Sequence, residues 1–161
     1  MGVITEAIIS HSLSPTGIIQ FVEKLNNSAV TARIGGKWEW NIPDVNDASL
    51  ETFWKKTYED YLKDRNIIIL ENGRYDLFFY QRYIVTFSSG LKSGIYQNNP
   101  FEKAKFDELA KSIALAMGAA GAIISEDWYH YHAFEDDDPF DVIKQNLLKM
   151  SLPFYEIDLT V

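Results

Sequence analysis

The 161-residue sequence contains no cysteine. This absence excludes disulfide bonds, thiol nucleophiles and zinc sites built on cysteine ligands. No apolar run approaches the ~20 residues that a membrane-spanning helix needs, so we expect no membrane association. The opening residues, MGVITEAIISHS, lack the basic start and the small-residue cleavage site of a secretory signal. We therefore predict a cytoplasmic protein.

Basic residues are also scarce, with 15 Lys and Arg against 23 Asp and Glu and a formal net charge of −8. Seven of the acids lie in residues 126–141, EDWYHYHAFEDDDPFD, which contain no Lys or Arg. The remaining 16 acids are nearly balanced by the 15 bases, so the acidity is local. Such a balance argues against nucleic-acid binding, which needs clustered Lys and Arg, and favours a cationic partner or simple solubility.

What the sequence does contain is a large apolar fraction, 47%, with 14% aromatic residues, and neither a repeat nor a Pro/Gly/Ser linker. This composition predicts one packed domain over residues 1–161. Helical and strand patterns are interleaved and are joined by tight turns. The expected fold class is α+β, a single domain with a mixed, largely antiparallel sheet and about four helices packed on it.

In the first half of the chain, a strand is predicted over Val3–Ile9. A helix follows, with Ser14 as its N-cap and Pro15 at its first position. Its apolar positions recur on one helical face: Ile18, Phe21, Val22 and Leu25. Gly35-Gly36 is predicted to join two strands, Ala29–Ile34 and Lys37–Ile42. A second helix is expected after Asp47 or Ser49, with Phe53 and Trp54 near its apolar face.

The middle of the chain has the strongest strand pattern. Asn72-Gly73 predicts a two-residue hairpin turn between β-rich runs. Tyr75–Phe87 is apolar on both faces, which predicts one central strand bent near Gln81-Arg82, and a loop is expected over SSGLKSGIYQNNP. A third helix is predicted from about Pro100 to Gly118.

The last third is predicted to contain a strand that begins at Ala122–Ser125, a fourth helix over Asp138–Met150 and a final strand over Phe154–Val161. If the strand at Ala122 continues, Trp128, His130 and His132 share one of its faces. His-X-His is a known metal-ligand spacing, but histidines also line half-buried sheet faces. We expect no metal and no cofactor.

No catalytic motif is recognisable, and we assign no catalytic residue. Serines surround His11, but no paired nucleophile–base geometry can be inferred from the sequence. For the acidic run there is a structural interpretation, in which Asp138 caps a helix that starts at Pro139 and Asp141 supports the cap. The alternative is a surface for a basic protein, because aromatic residues stand next to uncompensated acids.

In size, α+β make-up, charge and absence of catalytic motifs, the chain resembles the small acidic immunity proteins that neutralise bacterial toxins, many of them nucleases with basic clefts. The resemblance implies a non-catalytic inhibitor that docks on a basic partner. Acids would then pair with Lys or Arg of that partner while aromatic residues anchor the contact. The expected partner-binding residues are Trp128, Tyr129, Tyr131, Glu135, Asp136 and Asp137.

Two other functions remain open. One is a small-ligand-binding or metal-dependent enzyme domain with its pocket at His130 and His132. The other is a structural or oligomeric accessory protein that uses an aromatic sheet face as a subunit interface. The partner's identity and the oligomeric state do not follow from the residues.

Overall fold

The protein is built on a seven-stranded sheet with the strand order β2-β3-β4-β5-β1-β6-β7, in which all six strand pairings are antiparallel. The computed structural model describes residues 4–34, 52–56, 59, 68–81, 84–92, 98–126, 140–151 and 154–160. The strands are β1 Ile4–Ser10, β2 Ala32–Ile34, β3 Ile68–Leu70, β4 Tyr75–Gln81, β5 Ile84–Lys92, β6 Gly121–Glu126 and β7 Tyr155–Asp158. The predicted α+β class with a largely antiparallel sheet is confirmed.

Three helices have defined bounds: α1 Gly17–Asn27, α2 Pro100–Met117 and α3 Phe140–Lys149. Residues 52–56 are also helical, as predicted for the second helix. The predicted bounds of α2 are confirmed. The Asn99 side chain accepts a hydrogen bond from the Glu102 backbone N–H, Pro100 occupies the first turn, and Gly118 ends the helix at a φ of 71°.

Helix α1 begins later than predicted. Its first residue is Gly17, and Thr16 rather than Ser14 precedes it as the capping residue. Ser14 and Pro15 instead form a preceding turn, in which the Gly17 N–H bonds to the Ser14 carbonyl and to its Oγ. The apolar face is as predicted, because Ile18, Phe21 and Leu25 are buried. These three buried side chains hold α1 against the sheet.

The predicted hairpin at Asn72-Gly73 is present, but its loop is longer than two residues. β3 and β4 are paired up to Leu70 and Tyr75, which leaves residues 71–74 as the connection. The Glu71 N–H bonds to the Thr31 carbonyl, so it extends the β2–β3 pairing and does not close a tight turn. Asn72 and Gly73 take positive φ angles of 59° and 94°, as their residue types favour.

The prediction of one bent strand over Tyr75–Phe87 is wrong, because this stretch contains the end of β4 and the start of β5. Gln81 pairs with Ile84 across an antiparallel register, so the chain reverses between them. Both strands are inner strands with buried apolar side chains on both faces, which explains why the run is apolar throughout. The loop predicted to follow is also partly wrong, since β5 extends to Lys92.

Side chains on one face of the sheet, which we call the first face, form the main core with α1, α2 and Trp54. Ala7 and Ile9 of β1 lie opposite Phe87 and Val85 of β5 on this face. The Phe87 ring stacks on Phe106 of α2 with 4.7 Å between the ring centroids. Aromatic stacking therefore joins α2 to the centre of the sheet.

The opposite, second face is covered by α3. Ile143 and Leu147 of α3 are fully buried against Ile8, Ile84 and Ile123, which come from three neighbouring strands. The sheet is thus a layer between helices on both sides. The predicted turn at Gly35-Gly36 and the strand predicted over Lys37–Ile42 lie outside the described residues.

Asn26, at the end of α1, closes the β2 edge of the sheet. The Ala32 N–H donates to Asn26 Oδ1 at 3.0 Å, and Asn26 Nδ2 donates to the Ala32 carbonyl at 2.9 Å. The hydrogen bond from the Glu71 N–H to the Thr31 carbonyl shows that the backbone N–H and C=O groups of residues 31 and 33 point towards β3. The N–H and C=O groups of Ala32 therefore point away from β3. The Asn26 amide therefore takes the place of a neighbouring strand.

Candidate functional site

The residues predicted to bind a partner lie outside the part of the chain that the structure describes. They are Trp128, Tyr129, Tyr131, Glu135, Asp136 and Asp137, and the same holds for His130 and His132. The structure does describe the two ends of the segment that contains them. β6 ends at Glu126, and α3 begins at Phe140 with Asp141 exposed in its first turn.

Both ends of this segment are fixed to the sheet. β6 is an inner strand that pairs with β1 on one side and with β7 on the other. α3 is held by the burial of Ile143 and Leu147 and by an ion pair in which Lys144 Nζ lies 2.9 Å from Glu156 Oε1 of β7. The acidic segment therefore starts and ends on elements of the packed core.

A row of polar side chains crosses the second face at the level where β6 ends. Strand register places Glu6 of β1 between Ser88 of β5 and Ser125 of β6, and Ser88 lies opposite Asp76 of β4. Glu6, Ser88 and Ser125 are all buried, and Asp76 is half-buried. A buried carboxylate needs partners or a ligand, because transfer of a charge out of water is costly.

Thr86 lies on the same face, two residues along β5 from Ser88, and opposite Ile8. Its Oγ1 is buried and makes no hydrogen bond to a described residue. A buried hydroxyl without a partner costs about 1–3 kcal/mol, so this face contains polar groups that apolar packing alone does not explain. Sequence reasoning missed this row of polar residues, since Glu6, Ser88 and Ser125 are far apart in the chain and only strand register brings them together.

His11, which follows β1, is packed as an aromatic side chain on the first face. Its ring meets Trp54 and Phe79 edge-on at centroid distances of 5.0 and 5.1 Å. Its Nδ1 accepts a hydrogen bond from the Leu13 backbone N–H. An imidazole whose Nδ1 is used in this way cannot take a proton from a serine through that atom, which argues against a Ser-His nucleophile here.

Tyr75 is a buried tyrosine whose pKa is shifted. Burial, followed by the nearby Glu102 carboxylate, raises the pKa of Tyr75, whereas Arg74 acts in the opposite direction. Arg74 itself lies 3.7 Å from Glu102 in a partly exposed ion pair. The phenol therefore stays protonated near neutral pH and is not poised to act as a base.

The described residues contain no group of three or more His, Asp or Glu side chains arranged to hold a metal ion. Within the same ranges, no helix combines the length and the hydropathy needed to cross a bilayer.

The fold and these residues define an α+β protein whose acidic segment connects β6 to α3. Comparisons of the chain with protein-family models, with curated protein sequences and with solved structures found no match.

Proposed function

We propose that the protein is a non-catalytic inhibitor of the immunity-protein type, which docks on a basic protein partner through the acidic, aromatic-rich residues 126–141. The observation that carries this proposal is the charge distribution. Seven acids without a single base occupy sixteen residues, while the rest of the chain is nearly neutral. Clustered charge of one sign accelerates association with an oppositely charged surface.

The anchoring of the segment supports the proposal. A recognition surface fixed at both ends loses less conformational freedom on binding than a free tail. β6, an inner strand of the sheet, and α3, which covers its second face, supply such attachment points. At the second attachment point, Asp141, which is one of the seven acids, is exposed.

A paired neutralisation tests this function. Asp136→Asn with Asp137→Asn should slow association with a basic partner, and the loss should shrink as salt rises, since exposed charges are screened within about 8 Å at physiological ionic strength. If a neighbouring gene encodes a basic toxin domain, that domain is the partner to use. Surface plasmon resonance at low and physiological salt measures the rates.

A matched control is Glu23→Gln with Glu108→Gln, which removes two exposed acids from α1 and α2. This control should leave the association rate nearly unchanged because those acids lie outside residues 126–141. Equal effects of the two pairs would show that only net charge matters. No effect of the Asp136/Asp137 pair at low salt, together with a stability loss of about 1 kcal/mol in Asp138→Ala, would mean that the run only caps a helix.

The aromatic residues are tested separately. Tyr129→Ala or Trp128→Ala should mainly speed dissociation, with a cost of roughly 2 kcal/mol or more if either residue anchors the partner. An unchanged dissociation rate in both variants would remove the aromatic residues from the proposed interface.

A second candidate function, a small-ligand or metal-binding domain, is favoured by the buried row that contains Glu6, Ser88 and Ser125. These residues lie beside the end of β6, from which the chain continues to His130 and His132. Elemental analysis of the purified protein tests the metal form of this function. Near-stoichiometric metal that is lost in the His130→Ala and His132→Ala double variant would favour it over the inhibitor.

A further inference from the structure

Strand β7 lies at one edge of the sheet, and among the described residues no strand pairs with its outer side. The Leu159 N–H bonds to the Ala120 carbonyl at 2.8 Å, and the β6–β7 register places Ile157 opposite Ala122. In an antiparallel ladder, alternate residues direct their backbone groups to the same neighbour. The N–H and C=O groups of Glu156 and Asp158 therefore point away from β6.

These outward groups have no hydrogen-bond partner among the described residues. Glu156 and Asp158 are both exposed, while Tyr155 and Ile157 on the opposite face of β7 are half-buried. Such a row of unpaired backbone groups is the surface on which another extended chain can pair.

The side chains on this edge are acidic. Glu156 and Asp158 lie two residues apart on one face, which separates their side chains by roughly 7 Å along the strand. Hydrogen bonds from Thr160, from its hydroxyl and then from its backbone N–H, lower the pKa of Asp158, so this carboxylate is charged at neutral pH. Glu156 pairs with Lys144 through Oε1, but a carboxylate has further lone pairs for a second donor.

This charge pattern selects the kind of chain that can pair. Two copies of β7 placed side by side would bring the acids of one copy opposite the acids of the other, and like charges directly opposite are destabilising. A strand with Lys or Arg at alternate positions would instead form opposite-charge pairs with both residues. Charge complementarity thus favours a basic partner over a second copy of this chain.

We propose that the free edge of β7 docks an extended, cationic segment of a protein partner, which adds to the sheet as a strand beside Glu156 and Asp158. The inference rests on the proposed function, from which it takes the positive charge of the partner. It adds a second contact surface and a mode of binding. Main-chain hydrogen bonds would supply affinity, and the two acids would select for alternating basic residues.

A synthetic peptide of roughly eight residues that alternates lysine and threonine provides the probe. Amide hydrogen exchange, followed by NMR, is measured for the full chain with and without this peptide. Glu156 and Asp158 N–H should become about tenfold more protected, since they gain hydrogen-bond acceptors, while Ile157 N–H, already paired with β6, should change little. Exchange of Glu156 and Asp158 that stays unchanged in saturating peptide would overturn the proposal.

A second peptide controls for charge. It has the same sequence but carries N-methyl groups on the residues whose N–H would face β7, so it keeps every lysine and loses the donors. Its affinity should be about tenfold weaker for each bond lost. Equal affinity of the two peptides would show that charge alone attracts them and would contradict strand addition.

Protein variants locate the contact. Glu156→Gln should weaken binding of the unmethylated peptide by roughly threefold, as expected for one exposed ion pair. Glu108→Gln, an exposed acid on α2, should have no such effect. An equal loss in both variants would contradict docking at β7. This assay does not involve Asp136 or Asp137, so failure of β7 docking is distinct from failure of the proposed function, which appears in the association kinetics of the Asp136/Asp137 pair.

Discussion

At the β2 edge of the sheet, the outward backbone groups of Ala32 bond to the side-chain amide of Asn26, whereas at the β7 edge those of Glu156 and Asp158 have no partner among the described residues. The two edges belong to the same sheet and are both short, with three and four residues. One edge is closed by a side chain and the other carries charge. Exposed strand edges invite pairing with other chains, and charged residues on such an edge limit which chains can pair.

Under the proposed function, only one of the two edges would take part in binding. The β2 edge, with α1 beside it, is completed from within the chain. The β7 edge lies next to β6 and α3, the two elements that carry the ends of the acidic segment. On β7 itself, two exposed acids lie beside backbone groups that have no partner among the described residues, and this combination would suit a partner that is both basic and extended.

The largest expected effect comes from separating β7 from β6. A Cβ at Gly121 would clash with the Ile157 carbonyl oxygen, and only a backbone shift could relieve this clash. Gly121→Ala should therefore lower the free energy of unfolding by roughly 3 kcal/mol, measured by urea denaturation. Gly17→Ala is the matched control, because its Cβ would meet the nearest atom, Ser14 Oγ, at an ordinary 3.4 Å. Equal stabilities of the two variants would contradict the close β6–β7 pairing.

Opening the β2 edge should cost less. Asn26→Ala removes both hydrogen bonds to Ala32 and a third to the Val22 carbonyl, and it should destabilise the protein by about 2 kcal/mol. The Ala32 amide should also exchange faster, so that the β2 edge becomes as weakly protected as the β7 edge. Asn27→Ala changes the neighbouring exposed residue and should have little effect on either measurement. A neutral Asn26→Ala variant would show that the edge is closed by something other than this amide.

Loosening β7 from α2 should have a smaller effect. Tyr155 donates a hydrogen bond from its hydroxyl to Asp107 Oδ1 at 2.8 Å, and Lys103 Nζ lies 5.0 Å from the centre of its ring. Tyr155→Phe keeps the ring and the cation–π contact but loses the hydrogen bond, so unfolding should become easier by about 1 kcal/mol. Calorimetry or urea titration measures this, and a variant as stable as the parent would mean that α2 does not restrain β7 through this bond.

The smallest effect concerns the end of the open edge. Since the folded-state pKa of Asp158 lies below its ordinary value of 3.8, the ionised group stabilises the fold at higher pH, and this contribution is lost as the pH falls through the folded-state pKa. Asp158→Asn should therefore be slightly less stable than the parent near pH 7, and the difference should disappear in strong acid. A difference of constant size across the pH range would mean that the charge is not what Thr160 stabilises.

The elements that could be predicted are those whose sequence patterns depend on neighbouring residues. Pro100, Gly118 and the apolar spacing between them give α2 correctly, because caps and helical periodicity depend on neighbours in the sequence. The reversal between β4 and β5 does not follow from the sequence, since Arg82-Tyr83, the dipeptide between them, is not a typical turn dipeptide and both strands are buried on both faces. A run that is apolar throughout does not reveal where it reverses.

Features that depend on strand register could not be predicted. From the sequence, Asn26 is expected only to lie at the end of a helix. The structure shows that its amide also bonds to the backbone of Ala32 at the edge of the sheet. Glu6, Ser88 and Ser125 are far apart in the chain and become neighbours through the pairing of β1 with β5 and β6. The acidity of residues 126–141, by contrast, is a property of composition and was visible from the start.

Amide hydrogen exchange in the free protein tests the contrast between the two edges most directly. We predict slow exchange for Ala32, which bonds to Asn26, and for Ile157, which faces β6, but fast exchange for Glu156 and Asp158. Protection would then alternate along β7 and would be present at the β2 edge. If Glu156 and Asp158 exchange as slowly as Ile157 in the absence of any partner, the β7 edge is already closed and the account of an open, acidic docking edge is wrong.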